Sequence, residues 1–394
     1  MANKPGRRRF GSVRKLPSDR WQARYQGPDG LTRTAPQTFE SEKKAAKWLT
    51  LVEAEVIRGE WVAPEAGSIL LDEYAPRWIA ERKLSPRTRE NYEDLYRLNI
   101  AAYLGNLALG AIRPATIRSW RKRILDDGRP EPQAVKAYCV LRAVLNTALK
   151  EDGIIRDNPC RIRGYDRYHT PERPTVGIVK VYELAGAMPD RFRALVLLAA
   201  LSGLRWGELI ALRRSDLDLT AGTVRVQRKL ATLRSGKTEF GPPKTDSGVR
   251  TVALPESAVA ALRTHFGAGF VHDGPDGLVF TGAKNALLRS GTWARAVAWR
   301  STLDRLGFPK GFHFHDLRHT GNTLASTTGA STRELMHRMG HASMRAALIY
   351  QHATRERDAE IARGIDQRIA RATGQRPVRE ETSPDGERVE PRGG

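Results

Sequence analysis

One stretch near the C-terminus restricts what this chain can be more than any other part of the sequence. It runs from His313 to Tyr350. Among its side chains that can bind a phosphate or move a proton, five stand out: His315, Arg318, His319, His341 and Tyr350. The first two are three residues apart, so a helix places them on one face. Gly340, just before His341, fits the left-handed residue that ends a helix. Each side chain alone is more typical of packing, but together they indicate a site.

The charge of the chain indicates its class of partner. Its 394 residues include 66 Lys and Arg against 44 Asp and Glu, a formal net charge of +22. Such an excess favours a polyanion such as nucleic acid. Cys139 and Cys160 fit neither a metal site nor a disulfide framework, which indicates a reducing cytoplasm. No run approaches the ~18 apolar residues of a membrane span, and the basic start lacks the apolar segment of a secretory signal. We therefore expect no membrane partner.

The periodicity of the sequence divides the chain into parts. Three alternating strands, the third over 31–39, and a helix capped by Ser41 form the first. An almost entirely helical part follows, and then a longer part that mixes helices and strands. The elements predicted in this last part include helices over 204–212 and 290–306, a strand over 223–229 and a polar turn over 236–248. Stretches 59–68 and 161–174 are interpreted as linkers, and the last residues, which lack aromatics, are predicted to be disordered. The predicted fold is therefore mainly α with α+β parts. The predicted segments are 1–60, 67–162, 173–373 and 374–394.

The first part is strongly basic for its size. Its positive side chains in the predicted strands and turns are Arg14, Lys15, Arg20, Arg24 and Arg33. We interpret them as a sheet face that lies on DNA, the alternative being an ordinary solvated β-meander.

Two further cations stand out upstream of the C-terminal stretch. Arg205 follows a Ser-Gly break in SGLRWGEL, so it is predicted at a helix N-terminus, where backbone N–H groups favour an anion. Glu208, one turn on, can hold its guanidinium group. Lys244 lies in the polar turn GPPKTDSGVR between two predicted strands, and such a loop can extend a lysine into a neighbouring groove. Alone, each is more often structural or solvated.

As a set, these residues suit the transfer of a phosphodiester. Two arginines can grip the non-bridging oxygens of one phosphate and stabilise the charge that grows on them. A tyrosine, with an ordinary pKa of about 10, can attack if a histidine accepts its proton. Lys244 can protonate the leaving oxygen. We expect no cofactor and no metal, since no carboxylate cluster suited to Mg²⁺ accompanies the set.

The ordered motifs SGLRWGEL, PPKTDSGVR, HDLRHT, MGH and IYQH resemble those of the tyrosine recombinases, specifically lambda-integrase-like phage integrases. Met339 stands where the family usually has Leu. The resemblance implies an arm-type DNA-binding domain over 1–60, a helical core-binding (SAM-like) domain over 67–162 and a mixed α/β catalytic domain over 173–373. It also implies a set of catalytic residues. They are Arg205, Lys244, His315, Arg318, His341 and the nucleophile Tyr350.

The resemblance further implies a function. The expected protein is a site-specific recombinase that cleaves and rejoins duplex DNA through a 3′-phosphotyrosyl intermediate, integrating a phage or mobile element, with excision as a second expected activity. The expected partners are crossover and arm-type DNA sites, three further copies of the chain, an excisionase and a host DNA-bending protein, in the cytoplasm and nucleoid of a bacterial host. The alternatives are a type IB topoisomerase and a non-catalytic DNA-binding regulator. The compact N-terminal parts favour the recombinase, and the intact Tyr350 argues against the regulator.

Overall fold

The computed structural model describes residues 10–243, 245–271, 273–340, 343, 344, 348 and 355–374. The chain divides into two compact units, Met1–Pro171 and Glu172–Gly394. Each unit is described by itself. None of the helices in these described ranges is long and apolar enough to cross a membrane.

The first unit begins with an antiparallel three-stranded sheet and a helix. The strands β1 (Ser12–Lys15), β2 (Trp21–Gln26) and β3 (Thr32–Thr34) lie in chain order, and α1 (Glu42–Ile57) follows. Alternation along β2 turns Ala23 and Tyr25 into the core and Arg24 to solvent. The Ser41 hydroxyl accepts from the backbone N–H of Lys44 at 3.3 Å. The predicted strands, helix and N-cap are confirmed, although the third strand is shorter than predicted.

The register of this sheet corrects one part of the prediction. Arg33 pairs with the inward-facing Tyr25, and only 9% of its side chain is exposed. Its guanidinium group binds Asp29 at 2.7 Å and Glu65 at 2.9 Å. Arg33 therefore does not lie on the outer face of the sheet, and its assignment to a DNA-binding face is wrong. Arg14 and Arg24 do lie on the exposed face.

The stretch predicted as the first linker has little regular structure but is packed. Trp61 lies under the Arg33 guanidinium, 5.0 Å from ring centroid to carbon, and its indole N–H donates to the Tyr25 hydroxyl at 3.3 Å. Further on, Gly67 meets Gly110 so closely that a Cβ on Gly67 would lie 3.2 Å from the Gly110 Cα. The stretch therefore contacts both the sheet and the helical part.

The rest of the first unit is helical, as predicted. The helices are α2 (Leu71–Glu81), α3 (Pro86–Tyr96), α4 (Ala102–Leu104), α5 (Pro114–Asp126) and α6 (Glu131–Lys150), with a π-helical turn between α3 and α4. Their buried apolar stripes, including Ile79, Ile117 and Leu141, form one core. Pro86 opens α3 because its missing N–H costs nothing at the first helical position.

The second unit surrounds a buried helix. It begins with α7 (Ile178–Gly186) and α8 (Asp190–Ser202), and every residue of α8 from Ala194 to Ser202 is buried. The short α9 (Trp206–Leu209) follows. The strands β4 (Leu217–Asp218), β5 (Thr223–Val226) and β8 (Arg250–Ala253) form one sheet, and β6 (Lys229–Thr232) pairs with β7 (Thr238–Gly241) as a separate hairpin. The later helices are α10 (Glu256–Gly267), α11 (Ser290–Ala296), α12 (Trp299–Arg305), α13 (Phe314–Thr327), α14 (Thr332–Met339) and α15 (Arg355–Thr373).

Several predicted elements of this unit differ in the structure. The single helix predicted over 290–306 is two, because Ala298 adopts a left-handed conformation with φ of 45°. Trp293 and Trp299 both pack on Phe314, at 5.0 and 6.0 Å between ring centroids. Residues six apart on a straight helix face different directions, so the break lets both rings reach the same partner. The predicted turn 236–248 contains a strand, β7. The predicted strand 223–229 is divided between β5 and β6, which belong to different sheets. The helix predicted over 204–212 is the shorter α9, and α15 is not among the predicted helices.

Candidate active site

Arg205 lies where the sequence predicts it. Helix α8 ends at Ser202, Gly203 turns the chain with φ of 67°, and Arg205 is the N-cap of α9. Its guanidinium donates to Glu208 Oε1 at 2.9 Å, and its backbone N–H donates to Oε2 at 3.0 Å. The predicted Arg–Glu pair is confirmed. The Arg205 side chain remains 35% exposed, so the guanidinium is accessible to an anion.

A second arginine shares the same carboxylate. Arg250, the first residue of β8, donates to Glu208 Oε2 at 3.0 Å, and only 1% of its side chain is exposed. Burial by itself raises the pKa of Glu208, but the charge of Arg250, hydrogen bonds and the charge of Arg205 together lower it. The carboxylate is therefore ionised at neutral pH and holds Arg205 in one orientation.

Helix α13 carries the next two predicted residues on one face. Arg318 is 3% exposed, and the His315 ring lies 5.2 Å from that of His319, centroid to centroid. His315 is open to solvent on one side. Partial burial, then the charges of His319 and Arg318, lower the pKa of His315 to about 4. Its imidazole is neutral at pH 7 and can accept a proton or a hydrogen bond.

The end of α14 brings the arginines together. Gly340 adopts φ of 59° as the residue that ends this helix, as predicted. Three successive backbone carbonyls, the unpaired acceptors of a helix C-terminus, each accept from a different guanidinium group. The pairs are Arg250 Nε to Arg338 O at 2.9 Å, Arg318 Nη2 to Met339 O at 2.6 Å and Arg205 Nη2 to Gly340 O at 3.1 Å. Arg318 Nη1 also donates to Gly203 O, so the turn before Arg205 and the end of α14 are joined.

The structure thus places three of the predicted residues in one site. Arg205 and Arg318 bind the end of α14, and both their charges act on His315. Lys244, His341 and Tyr350 lie outside the described residues. In sequence, His341 directly follows Gly340. Among the residues that the structure describes, no group of three or more His, Cys, Asp or Glu side chains is arranged to hold a metal ion.

Two residues of the site escaped the sequence analysis. Arg250 lies inside the motif PPKTDSGVR, but a buried arginine is uncommon and nothing local marks it. Arg338 donates to Ala253 O at 3.0 Å and Leu201 O at 2.8 Å, which ties α14 to β8 and α8. Arg338 binds backbone acceptors that any residue would supply, and the Glu208 carboxylate that binds Arg250 is 42 residues away in the sequence. Neither contact is therefore marked locally in the sequence.

Solved structures share this fold. The Tn1549 transposon integrase in complex with a circular intermediate DNA matches with a TM-score of 0.66 and 20% identity, covering 75% of this chain and 100% of that one. The lambda integrase tetramer bound to a Holliday junction matches with a TM-score of 0.52 and 19% identity, covering 84% and 95%. Together with the phage integrase family model that matches residues 178–357 and a relative that is 38% identical over 378 residues, this fold defines the class: a site-specific DNA recombinase of the tyrosine type.

Relatives with higher identity identify the family. The family models described as "Phage integrase, N-terminal domain", "Phage integrase, N-terminal SAM-like domain" and "Phage integrase family" match residues 9–58, 70–125 and 178–357. The putative prophage phiRv2 integrase of Mycobacterium tuberculosis is 38% identical over 378 residues, covering 92% of this chain and 96% of the relative. The integrase of Mycobacterium phage D29 is 34% identical over 375 residues, covering 92% and 97%. The chain therefore belongs to the phage integrase family.

Proposed function

We propose that this recombinase cleaves and rejoins duplex DNA through a 3′-phosphotyrosyl intermediate formed by Tyr350. The other catalytic residues are proposed to be Arg205, Lys244, His315, Arg318 and His341. The observation that carries the proposal is the attachment of Arg205 and Arg318 to adjacent carbonyls at the end of α14. Two guanidinium groups held on one piece of backbone suit the two non-bridging oxygens of a single phosphate.

The chemistry follows from these groups. The Tyr350 hydroxyl oxygen attacks phosphorus, its proton passes to a neutral histidine, and the bond from phosphorus to the 5′-oxygen breaks. Lys244 gives that oxygen a proton. Charge on the non-bridging oxygens rises in the transition state, where preorganised arginines stabilise it. In rejoining, a 5′-hydroxyl attacks the phosphotyrosine and the tyrosine oxygen leaves.

The test is cleavage of a nicked suicide substrate. The short fragment that carries the new 5′-hydroxyl diffuses away after cleavage, so the adduct cannot be rejoined and is trapped. Wild-type protein should form a covalent adduct with the 3′-phosphate, and Tyr350→Phe should form none. Arg205→Ala should bind the substrate but cleave it about a hundredfold more slowly, because one preorganised donor to the transition state is lost. An adduct from Tyr350→Phe would refute the assignment of the nucleophile.

We also infer that four copies act together on DNA, as in the lambda integrase tetramer on its Holliday junction. Support comes from α15, which exposes Ile365 and Ile369, 53% and 52%, on one face. On the same unit, Leu324 of α13 is 41% exposed. Apolar side chains exposed at helical spacing are typical of a protein contact. Ile365→Asp with Ile369→Asp should still cleave half-sites but should not form a four-protomer synapse in sedimentation.

The remaining partners and boundaries are proposals of the same kind. We propose that residues 1–60 bind arm-type sites, that residues 67–162 with 173–373 bind the crossover site, and that residues 374–394 form a tail. An excisionase and a host DNA-bending protein would set the direction of the reaction, in the cytoplasm and nucleoid of a bacterial host. The exposed sheet face with Arg14 and Arg24 supports the arm-site proposal, because it is basic and opposite the packed face.

A further inference from the structure

An arginine near the start of the second unit reaches the helix that carries His315 and Arg318. Arg173 precedes α7 in an irregular stretch, and its guanidinium group donates to both oxygens of one carboxylate. Nε donates to Asp316 Oδ1 at 2.9 Å and Nη2 donates to Oδ2 at 2.5 Å. Nη2 also donates to Gly311 O at 3.1 Å. Only 1% of the Asp316 side chain is exposed, so Arg173 is the charge partner of a buried carboxylate.

Asp316 lies in the first turn of α13, between His315 and Arg318. Its Oδ2 accepts the backbone N–H of His313 at 2.6 Å, so the carboxylate closes the N-terminus of the helix. Burial raises the pKa of Asp316, but the hydrogen bonds from Arg173 and His313 outweigh it and hold the pKa below its usual value. The carboxylate is therefore charged and oriented from both sides.

The stretch after Arg173 continues along the same helix. The backbone N–H of Val176 donates to the Thr320 hydroxyl at 3.3 Å. Arg173 and Val176 thus contact α13 one turn apart, on residues that are interleaved with the proposed catalytic ones. A shift of this stretch moves the first turn of α13, since buried and hydrogen-bonded groups do not slide freely.

We propose that Arg173 is a positioning residue for DNA cleavage: by holding Asp316 it fixes the first turn of α13 and so places His315 and Arg318 against the phosphate. The inference rests on the proposed function, because that function alone assigns His315 and Arg318 to the reaction. Arg173 itself does not touch DNA in this scheme. The competing explanation is an ion pair that only stabilises the fold.

The two explanations differ in what they predict for the rate of cleavage. A structural ion pair affects the fraction of folded protein and leaves the rate per folded molecule unchanged. A positioning contact affects that rate, and misplacing a catalytic group by about 1 Å can lower the rate about a hundredfold.

The pH profile of the cleavage rate is a second readout. The groups facing Asp316 are Arg173, His313, His315 and His319. Burial lowers the pKa of both His315 and His319, and the Asp316 charge opposes that lowering. Without Arg173 that charge is unbalanced, and the acid limb of the rate profile should move to higher pH.

The experiment compares full-length variants in single-turnover cleavage of the nicked substrate at saturating DNA. Arg173→Ala should cleave about tenfold or more slowly, with DNA affinity changed by no more than about threefold. Arg173→Lys, which keeps the charge but not the fork, should fall in between. The matched control is Arg167→Ala in the same connecting stretch, where Arg167 is 80% exposed and lies 3.6 Å from Asp166. At saturation the control should cleave at the wild-type rate.

A double-mutant cycle with Asp316→Asn completes the test. If Arg173 acts through Asp316, the double variant should be no slower than the slower single variant. Independent, multiplying defects would overturn the proposal, as would a folded Arg173→Ala that cleaves at the wild-type rate with an unchanged pH profile. If Arg173→Ala does not fold, Arg173→Lys decides: a folded variant with the wild-type rate overturns the proposal. Failure of the proposed function appears differently, as a wild-type protein that traps no adduct.

Discussion

The carboxylate that joins two arginines in the active site offers the sharpest test of how this site is held together. Glu208 is 3% exposed at its side chain and Arg250 is 1% exposed, so Glu208→Gln leaves a buried guanidinium without its counter-charge. Breaking a buried pair by removing one partner costs about 3–5 kcal/mol. The glutamine carbonyl still accepts one hydrogen bond and Arg205 can be hydrated, so we expect the lower end of the range, about 3 kcal/mol.

The assay is urea unfolding of the second unit, followed by its tryptophan fluorescence. With a slope of about 2 kcal/mol per molar urea, a loss of about 3 kcal/mol lowers the midpoint by about 1.5 M. The matched control is Glu183→Gln in α7, also paired with a cation three residues away, but with both partners 42% exposed. Surface pairs contribute about 0.2–1 kcal/mol, so the control should move the midpoint only slightly. Equal shifts for the two variants would refute the reasoning.

The pH dependence of the stability of the same variant tests whether Glu208 is charged in the folded protein. The pKa of Glu208 is lower in the folded protein than its ordinary value of about 4.3. The charged form therefore adds stability at pH above the unfolded value, and this stability is lost as the pH falls through the folded value. Glutamine does not titrate, so the stability difference between wild type and Glu208→Gln should narrow in acid. A difference that stays constant from pH 7 to acid would contradict the assignment.

Three other predictions concern the reaction and its DNA. Cleavage of the suicide substrate should proceed in EDTA, because cationic side chains are proposed to stabilise the phosphate; complete loss in EDTA that Mg²⁺ restores, with binding intact, would count against the mechanism. Lys244→Ala should be rescued by a 5′-bridging phosphorothiolate, whose leaving group needs no proton, and equal defects on the oxygen and sulfur substrates would give Lys244 another role. Arg14→Ala with Arg24→Ala should lose flanking footprints and keep the crossover footprint. The matched control is Lys44→Ala in α1, where Lys44 forms a surface pair with Glu40. Uniform weakening at all sites would argue against arm-site binding.

The sequence predicts those features of the site that depend on neighbours along the chain. The Arg205–Glu208 pair is confirmed because the residue that caps a helix N-terminus lies beside the third helical residue whatever the rest of the fold does. The left-handed Gly340 is confirmed because a helix end selects glycine locally. The position of Arg33 in a predicted strand did not show on which face of the sheet its side chain lies. A strand's alternation shows which residues share a face, but the pairing of Arg33 with Tyr25 depends on register, which the short β3 does not determine.

The binding of three arginines to the end of α14 depends on the whole fold and is not predicted by the sequence. Arg205, Arg250 and Arg318 come from separate elements and each binds a backbone carbonyl at the end of α14. A backbone carbonyl belongs to every residue, so the sequence does not mark these contacts. The close fit leaves one local trace, at Gly340. A Cβ there would lie 2.9 Å from Arg250 Nη1 and 3.1 Å from Ser247 O, and the positive φ already disfavours other residues. Two constraints therefore favour glycine at position 340. The turn that ends the helix is apparent from the sequence, whereas the Arg250 guanidinium group packed against Gly340 is apparent only from the fold. In the folded protein the residue that the sequence marks as a helix end accepts a hydrogen bond from Arg205, and the residue before it, Met339, accepts one from Arg318.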